Sequence, residues 1–593
     1  MKRLLTGNEA IARGAYEAGV RFASAYPGTP STEILQNLAA YDEILAEWAP
    51  NEKVSLEAVI GASLGGVRAM CSMKHVGLNV AADPYFTFSY TGVNGGTVII
   101  TADEPGQHSS QNEQDNRWYA LSAKVPMFEP ANSQECLDMV KEAFEISEKY
   151  DTPVLLRLTT RVCHSKGIVL CQERMEVPVK PYEKDATKYV MVPSLAIRRR
   201  AVVEKRMEAF RDFANKTPRN FIEKGGRTGV IASGVCRHYI KEVFGDDATY
   251  LNIGFSNPLP DEILDRFAEM VDDIYVVEEN DKYMLTWVKA RGYADKVREV
   301  FPPSGELTPD NLRKALGLPA LPTSKGDEGS LLARPPAFCA GCPHRGFFFE
   351  LAKRKDVCVT GDIGCYTLGF MEPFHAMDSC VCMGGAFSIG HGFAQAQALT
   401  GGGMRTVGIL GDSTFFHMGI NSLIEVVYND SKTVCVILDN RITAMTGGQQ
   451  HPGTGKTAKG KAVPAMDISA IAKAVGVKLV IELNPNNLKE VRDALDTALA
   501  FEGPSVIITK WPCVLKKMDG EELAKYGSAF SKKLYVNDDC IGCRMCIRSG
   551  CPAISMEKAV DGKKARAVIN AVQCAGCDVC TQICPKKAIR ELV

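Results

Sequence analysis

The sequence predicts an α/β protein of several domains that ends in a small cysteine-rich unit. Apolar strands alternate with helical stretches through most of the 593 residues, a pattern typical of parallel sheets covered by helices. A chain of this length exceeds what one hydrophobic core accommodates. Of the 21 cysteines, eight fall between residues 540 and 584 in two similar runs. Together these observations predict α/β domains followed by a metal-binding tail.

The composition excludes several classes of protein. Lys plus Arg total 69 and Asp plus Glu total 70, which argues against nucleic acid or an anionic membrane as the main partner. No run of about 18 apolar residues occurs, and the first twenty residues predict a helix rather than a signal peptide. We therefore expect a cytoplasmic protein whose cysteines are thiols or metal ligands.

The chain is predicted to begin with an α/β unit, residues 1–175. "GGTVIITADEPG" (95–106) and "TPVLLRLTTRV" (152–162) are its clearest strands. Residues 176–222 are rich in charge, and we interpret them as a linker with an exposed helix. The Arg198–Arg200 run within them is either a docking patch or, more commonly, a solvated helix face.

A second α/β unit is predicted at residues 223–322. Its three strands are expected at residues 227–235, 248–254 and 272–280. The stretch "TSKGDEGSLLARPP" (323–336) is a polar break that contains Gly and Pro. A third α/β unit is expected at residues 330–515.

Two cysteine runs form the tail, residues 530–593. The second run has the spacing C-x2-C-x2-C-x3-C-P, a bacterial ferredoxin signature, in which the fourth thiolate binds the cluster of the other run. The spacing therefore predicts a ferredoxin-like domain with two [4Fe–4S] clusters. The expected ligands are Cys540, Cys543, Cys546 and Cys584 for one cluster, and Cys574, Cys577, Cys580 and Cys551 for the other.

The first run departs from this signature by one residue. "IRSG" fills the gap before Cys551, where three residues are usual. Because the extra residue lies outside the compact triplet, we expect a local bulge, and Cys551 is the ligand that it affects. A zinc ribbon is the alternative for the tail, since paired C-x2-C units also bind zinc. Two quartets that end in Cys-Pro favour clusters.

A candidate cation site lies in the third unit. Gly411, Asp412 and Ser413 follow one predicted strand, and Asp439 and Asn440 follow the next. A helix and a returning strand fit between them, which places both polar ends at one edge of a parallel sheet. Asp412 and Asn440 would then bind Mg²⁺, and Gly411 would let the backbone approach a phosphate. The alternative is an ordinary turn with a helix-capping Asp.

This pattern resembles the thiamine diphosphate motif, GDG followed by a spacer and NN, with Ser413 and Asp439 as mild departures. The resemblance implies that the carbonyl of Ile442 completes the protein ligands of the cation. Five further stretches and the tail look like the 2-oxoacid:ferredoxin oxidoreductases over essentially the whole chain. These stretches are "AYPGTPSTEILQNL" (25–38), "NEKVSLEAVIGASLGGVRAM" (51–70), "FCAGCPHRG" (338–346), "GDIGCYTLG" (361–369) and "TAMTGGQQHPGTG" (443–455).

The resemblance implies a role for each α/β unit. The first would bind the aminopyrimidine ring of thiamine, and the third would bind its diphosphate. The unit between them would be a domain like the C-terminal domain of transketolase. The family also uses a γ-type domain, for which no fourth large α/β unit is left, so a smaller β subunit is expected.

Individual residues are assigned by the same resemblance. Thr29 would contact the substrate carboxylate. Glu52 would bond the aminopyrimidine, with Glu57 as the alternative. Gly364, Cys365 and His344 would line the cofactor pocket.

Two histidine-containing stretches have other interpretations. A zinc site built from Cys339, Cys342 and His344, with Cys380 and Cys382 near, is the alternative for the "CAGCPH" loop. His108 follows a strand and either faces the substrate or is solvated.

The implied reaction is oxidative decarboxylation of aryl 2-oxo acids, namely indole-3-pyruvate, phenylpyruvate and 4-hydroxyphenylpyruvate. Thiamine diphosphate would act as the electron sink, coenzyme A would accept the acyl group, and the clusters would pass electrons to ferredoxin. The aryl preference rests wholly on resemblance. The alternatives are a family member acting on another 2-oxo acid, a non-oxidative thiamine enzyme, and a non-enzymatic electron-transfer scaffold.

Overall fold

A computed structural model describes residues 1–322, 335–557 and 565–592. They divide into two compact units, the first made of residues 1–322 with Ala458–Gly460, the second of the other described residues. Most of the predicted break at 323–336, the predicted start of the third unit at residue 330, and residue 593 lie outside the described residues. Within the described ranges, no helix is long and apolar enough to cross a membrane.

A seven-stranded sheet forms the centre of the first unit. Its neighbouring strands are parallel except for the edge pair that Phe255–Asn257 forms. Two predicted strands are confirmed as its central neighbours, Thr97–Asp103 and Val154–Thr159. In spatial order the strands are Phe255–Asn257, Met127–Phe128, Val154–Thr159, Thr97–Asp103, Ala69–Lys74, Phe22–Ala25 and Leu45–Trp48.

Helices cover both faces of this sheet. Alternation along Thr97–Asp103 sends Val98 and Ile100 into one buried cluster and Ile99 into another, as the two-residue repeat of a strand requires. Both faces of a parallel sheet are therefore apolar and covered. The helices are Gly7–Glu17, Thr32–Leu38, Glu52–Leu64, His75–Val80, Ala82–Thr91, Arg117–Ala123, Ser133–Tyr150, Thr160–His164, Ala186–Tyr189 and Pro193–Lys216.

The chain does not begin with a helix as predicted. Lys2–Thr6 is a strand that pairs antiparallel with Lys166–Leu170. The helix begins at Gly7, because the side chain of Thr6 caps it by accepting a hydrogen bond from the backbone of Glu9. The strand pairing joins residues far apart in sequence, which the local pattern does not reveal.

The predicted exposed helix exists as Pro193–Lys216 but is buried along one face. Val203, Met207, Phe210 and Ala214 are buried, and their spacing of three or four residues makes one stripe. Three of them belong to the core of the first sheet. The helix therefore packs on the first domain and is more than a linker.

The arginine run on this helix binds the same chain. Arg199 Nε donates to the carbonyl of Tyr90 at 2.6 Å, and an Arg200 amino group donates to the Tyr90 hydroxyl at 3.0 Å. Two of the three arginines are thus partly engaged, which disfavours a free docking patch.

A four-stranded sheet forms the second α/β region. The three predicted strands are confirmed, and they pair in parallel; a fourth, antiparallel strand joins at the edge. In spatial order they are Asp273–Val277, Thr228–Ser233, Ala248–Ile253 and Phe221–Glu223. The helices of this region are Cys236–Phe244, Asp261–Met270, Tyr283–Val288 and Pro309–Ala315.

The second unit contains a six-stranded parallel sheet. In spatial order its strands are Ser379–Cys380, Val357–Gly361, Arg405–Gly411, Thr433–Asp439, Ser505–Lys510 and Leu479–Leu483. Its helices are His344–Leu351, Ala386–Thr400, Asp412–Thr414, Ile420–Tyr428, Ile468–Ala474, Leu488–Ala500 and Gly520–Ser531.

The cysteine-rich tail is built from two small antiparallel pairs of strands. Leu534–Val536 pairs with Ile589–Glu591, and Ile554–Glu557 pairs with Arg566–Ile569. A short 3-10 helix, Met545–Ser549, and an α-helix, Val579–Ile583, carry cysteines of the two runs.

Candidate active site

The predicted strand–helix–strand unit around Asp412 is confirmed. Arg405–Gly411 and Thr433–Asp439 are neighbouring parallel strands. Asp412 follows the first strand and Asn440 follows the second, so both lie at the carboxyl edge of the sheet. This is the edge where open α/β sheets bind ligands.

Asp412 is buried and precisely partnered. One oxygen accepts a hydrogen bond from the backbone of Ser413 at 2.9 Å, and the other lies 3.1 Å from Nε2 of His451. Burial acts to raise the pKa of Asp412, but His451, the backbone of Ser413 and Asp439 together outweigh it, and the pKa lies below its ordinary value. Burial, followed by the charge of Asp412, raises the pKa of Asp439 to about 7. Two buried carboxyl groups therefore lie close together at this edge.

Asn440 and Ile442 follow in a tight turn. Both are buried, with 7% and 8% of their surface exposed. The intervening Arg441 has φ +65°, and the backbone of Ile442 donates to the side-chain oxygen of Asn440 at 3.2 Å. That oxygen has two acceptor sites, so one stays available for a cation.

Gly411 and Gly364 both lie against the ring of Tyr366. A Cβ on Gly411 would lie 2.7 Å from Cε1 of Tyr366, which no side chain tolerates. The Tyr366 hydroxyl donates to the carbonyl of Ile363 at 2.7 Å and contacts the hydroxyl of Thr414 at 3.0 Å. Two glycines therefore let two loops close around one anchored aromatic ring.

Ser413 and His344 border the same edge. The hydroxyl of Ser413 accepts a hydrogen bond from Thr443 at 3.0 Å. His344 is the first residue of its helix, and its Nε2 lies 3.5 Å from Nδ2 of Asn440. Burial lowers the pKa of His344 to about 4, although Asp412 opposes this, so the ring is neutral at pH 7.

Two residues of this edge, each inside a stretch that carries the family resemblance, have no role assigned from the sequence. Asp362 follows strand Val357–Gly361 and is fully buried. It accepts hydrogen bonds from the backbones of Ile363, Gly384 and Ala386 at 2.7 to 3.0 Å. Asp362 thereby holds the loops of the edge together. His451 was inside a quoted stretch, but only the fold brings it to Asp412.

Cys365 is next to other cysteines. Burial raises the pKa of Cys365 to about 11, with Cys513 and Cys339 as further causes. Cys342 has Cys365 and Cys513 among its neighbours, and Cys513 has Cys339. We call Cys339, Cys342, Cys365 and Cys513 the loop quartet. Cys513, a lone cysteine shortly after strand Ser505–Lys510, could not be assigned to this set from the sequence.

The two glutamates that are candidates for the aminopyrimidine partner differ in burial. Glu52 begins the helix Glu52–Leu64 and is 5% exposed. Its Oε1 would lie 2.9 Å from a Cβ on Gly77, so the absence of a side chain there makes room for it. Glu57 is exposed and forms an ion pair with Lys53 at 3.2 Å. Only Glu52 has the burial that the pyrimidine partner needs.

Thr29 is half-buried in the loop after strand Phe22–Ala25. A Cβ on the preceding Gly28 would lie 3.1 Å from Cγ of Lys74. Lys74 is the last residue of its strand, and its ammonium lies 3.7 Å from Glu104. Burial lowers the pKa of Lys74, while Glu104 and Glu52 oppose this. Lys74 is thus a half-buried cation beside Gly28, and the sequence pattern gives no sign of it.

His108 is exposed, with Nε2 3.5 Å from Glu306, which fits the solvated alternative.

The tail brings its cysteines together in the predicted sets. A small, partly open cavity is lined by the first set, Cys540, Cys543, Cys546 and Cys584. We call it the first tail quartet. Burial raises the pKa of Cys577 to about 11, with Cys551 and Cys574 among the neighbours, and Cys580 has all three as neighbours. We call Cys551, Cys574, Cys577 and Cys580 the second tail quartet. Cys551 lies with this set despite the longer gap before it.

None of these sets suits a single ion. Within residues 1–322, 335–557 and 565–592, no three His, Cys, Asp or Glu side chains are close enough to share one metal ion. Zinc needs four ligands on one ion, whereas the thiolates of a [4Fe–4S] cluster bind different irons.

Two family models match the chain, one in each unit. Residues 13–217 match the thiamine diphosphate-binding domain of pyruvate flavodoxin/ferredoxin oxidoreductases. Residues 362–509 match the C-terminal TPP-binding domain of thiamine pyrophosphate enzymes. Together with the parallel sheets and the edge around Asp412, these matches define a thiamine diphosphate-dependent 2-oxoacid:ferredoxin oxidoreductase.

Curated relatives specify the family further. Indolepyruvate oxidoreductase subunit IorA of Archaeoglobus fulgidus is 38% identical, covering 99% of this chain and 97% of that protein. The subunits of the same name from Methanothermobacter marburgensis and Pyrococcus abyssi are 40% and 37% identical over the same shares. This chain belongs to the indolepyruvate oxidoreductase IorA family.

Proposed function

We propose that the chain catalyses the oxidative decarboxylation of aryl 2-oxo acids to aryl-acetyl-CoA and passes the electrons to ferredoxin. Indole-3-pyruvate, phenylpyruvate and 4-hydroxyphenylpyruvate are the proposed substrates, supported by the name of the relatives. The observation that carries the proposal is that one chain combines two thiamine-binding regions with twelve cysteines in three quartets. A non-oxidative thiamine enzyme releases no electrons and therefore needs no cysteine quartets for electron-transfer clusters.

The edge around Asp412 would hold Mg²⁺ and the diphosphate. Asp412, Asn440 and the carbonyl of Ile442 would be the protein ligands, since Mg²⁺ takes oxygen ligands and shares them with phosphates. Gly411 and Ser413 would lie along the diphosphate. The two neighbouring buried carboxyl groups of this edge, Asp412 and Asp439, support a cation there.

Gly364 and the neutral His344 would complete this wall of the pocket. Gly364 shares the Tyr366 ring with Gly411, and His344 borders Asn440. A neutral imidazole adds no charge to a site whose electrostatics the cation and the phosphates dominate.

Bound thiamine diphosphate supplies the electron sink for decarboxylation. Glu52 would bond the aminopyrimidine ring and move a proton at its ring nitrogen. Thr29 would donate a hydrogen bond to the substrate carboxylate. Lys74, beside Gly28, would add a positive charge on the same side.

The two tail quartets would each hold a [4Fe–4S] cluster, as the ferredoxin spacing indicates. Support comes from the cavity that the first tail quartet lines and from the presence of Cys551 among the second. The tail would thus be the ferredoxin-like domain that passes electrons outward.

The loop quartet would hold a third cluster. Its four thiols come from three loops at the carboxyl edge of the six-stranded sheet, the edge that would bind the diphosphate. The backbone of Cys513 donates to the carbonyl of Asn440 at 2.9 Å, so this quartet borders the proposed cation ligand. It would receive electrons first, and Cys365 would also line the cofactor pocket, as the resemblance implies.

Further components are proposed from the family. A smaller β subunit carrying the γ-type domain would complete the enzyme, coenzyme A would accept the acyl group, and ferredoxin would accept the electrons. We propose a cytoplasmic location, since low-potential ferredoxin chemistry and reduced thiols belong in a reducing compartment.

The substrate proposal is tested with the anaerobically purified complex. Reduction of a viologen dye is followed with coenzyme A and, in turn, indole-3-pyruvate, phenylpyruvate, pyruvate and 2-oxoglutarate. We expect kcat/KM for the two aryl acids to exceed that for the others by about tenfold or more, as differences in apolar side-chain burial allow. A preference for 2-oxoglutarate or pyruvate would assign the chain to another 2-oxo acid, and no reduction with any acid would refute the oxidoreductase.

The Glu52 proposal has a matched control on the same helix. Glu52→Gln removes the proton-carrying carboxyl group while keeping its shape, and we expect kcat to fall about 100-fold or more with thiamine diphosphate still bound. Glu57→Gln changes the exposed glutamate one turn away and should retain wild-type kcat. Equal effects of the two substitutions would contradict the assignment.

A further inference from the structure

Arg345 is a buried arginine whose charge has no carboxylate partner among the described residues. Its side chain is 1% exposed. Its hydrogen-bond partners in the described part of the chain are backbone carbonyls: Phe338 and Cys339 at 2.8 Å, and Ser549 at 2.7 Å. Its Nε is buried without a partner. A buried guanidinium in such a site is costly unless an anion compensates it.

The surroundings of Arg345 indicate where that anion belongs. Phe338 and Cys339 lie in the loop that begins the loop quartet. The carbonyl of Cys339, in that loop, accepts a hydrogen bond from Arg345 at 2.8 Å, and the carbonyl of Ser549, two residues before Cys551 of the second tail quartet, accepts another at 2.7 Å. Arg345 therefore bonds both the loop that carries the first thiols of the loop quartet and the segment that leads to Cys551.

The two quartets face each other across this arginine. A Cβ on Gly341, between Cys339 and Cys342, would lie 2.5 Å from Cβ of Ala575. Ala575 lies between two cysteines of the second tail quartet. On the same side, the side chain of Gln582 donates to the carbonyl of Asn486 at 2.7 Å. The second tail quartet is thus the one that packs on the diphosphate-binding domain.

The longer gap of the first cysteine run also meets Arg345. "IRSG" supplies Ser549, whose carbonyl accepts from Arg345, and Gly550, which has φ +65°. A Cβ on Gly550 would lie 3.3 Å from Nη1 of Arg345 and 2.8 Å from Cδ of Pro373. The four-residue gap therefore makes the contact between the tail and this arginine.

We propose that Arg345 is the fixed positive charge of the electron path, set between the loop quartet and the second tail quartet so that it favours the reduced form of the clusters on both sides. The inference rests on the proposed function, because it takes both quartets to hold [4Fe–4S] clusters. Each cluster becomes more negative by one charge when it is reduced, and a positive charge in a low-dielectric interior stabilises that form.

The test is an EPR-monitored redox titration of the anaerobically purified holoenzyme. Arg345→Gln should shift the midpoint potentials of two clusters to more negative values and leave the third unchanged. Arg345→Lys keeps the charge and should give smaller shifts than Arg345→Gln. Arg548→Gln removes an exposed arginine from the same gap and should shift none of them, because solvent screens its charge.

Three outcomes would overturn the inference: unchanged potentials in Arg345→Gln, an equal shift of all three clusters, or shifts in Arg345→Lys as large as in Arg345→Gln. If the Arg345→Gln protein fails to assemble, Arg345→Lys is compared with wild type instead. An Arg345→Lys protein that binds its iron should then have near-native midpoint potentials, and large shifts would contradict the inference. A wild-type enzyme without iron–sulfur signals would instead refute the proposed function. If the wild-type enzyme shows the clusters but the Arg345 variants have the same midpoint potentials, only the role of Arg345 is refuted.

Discussion

Asp412→Ala is expected to yield an enzyme that retains its iron–sulfur clusters but does not retain thiamine diphosphate. Asp412 is the one carboxylate among the three proposed Mg²⁺ ligands, and its loss also removes the partner of His451. Loss of a group that only supports a metal ligand lowers activity by up to about 100-fold. Because Asp412 is proposed to bind the metal directly, we expect 2-oxoacid-dependent viologen reduction to fall by at least that factor. Bound thiamine is measured by fluorescence after oxidation, and cluster content by absorbance.

The control for this variant is Asp493→Ala, in the same domain. Asp493 lies on a helix surface, half-exposed and paired with Lys489 at 2.7 Å, and its removal should change neither cofactor content nor rate. Wild-type thiamine content in Asp412→Ala would contradict the cation site. Loss of the cofactor together with all clusters would show that Asp412 supports the fold rather than the cofactor.

Cys513→Ser should separate decarboxylation from electron transfer. The loop quartet loses one ligand, so we expect the iron content to fall by about four atoms per chain. Release of CO₂ from labelled substrate should stop after about one turnover per site, and viologen reduction should be lost. Rapid mixing with radiolabelled indole-3-pyruvate measures the first quantity, and iron analysis measures the loss of the cluster.

Cys382→Ser is the matched control, because Cys382 is an exposed thiol of the same domain that belongs to none of the three quartets. It should keep wild-type iron content and wild-type viologen reduction. Full viologen reduction by Cys513→Ser would exclude the loop quartet from the electron path and leave Cys365 with the pocket-lining role alone.

The features that could be predicted from the sequence depend on residues close together along the chain or on a known motif spacing. Asp412 and Asn440 come from the ends of two consecutive strands, so the period of the strands and the length of the connecting helix place them together. The pairing of Cys551 with the second run could likewise be predicted, because the ferredoxin spacing encodes the exchange of the fourth ligand.

What could not be predicted depends on contacts between distant elements. Cys513 lies far along the chain from Cys342, and a lone cysteine after a strand carries no signal of its own. Lys74 and Gly28 meet only because the strands before them are neighbours in the sheet. The strand Lys2–Thr6 was mistaken for part of a helix for the same reason, since its partner lies at residues 166–170.

The function of the longer "IRSG" gap also could not be predicted from the sequence. The sequence predicts a bulge there, and the structure has a short 3-10 helix, Met545–Ser549. In the structure this segment contacts Arg345, which lies in another domain of the same unit. A departure from a motif can therefore mark a contact between domains rather than a loss of function.

The most direct test of the account is rapid freeze-quench EPR of the anaerobic complex after mixing with indole-3-pyruvate and coenzyme A, with no ferredoxin or dye present. The account predicts that signals of reduced [4Fe–4S] clusters appear within the first turnover and are absent when Asp412→Ala replaces the wild-type chain. Release of CO₂ with no reduction of any cluster would contradict it.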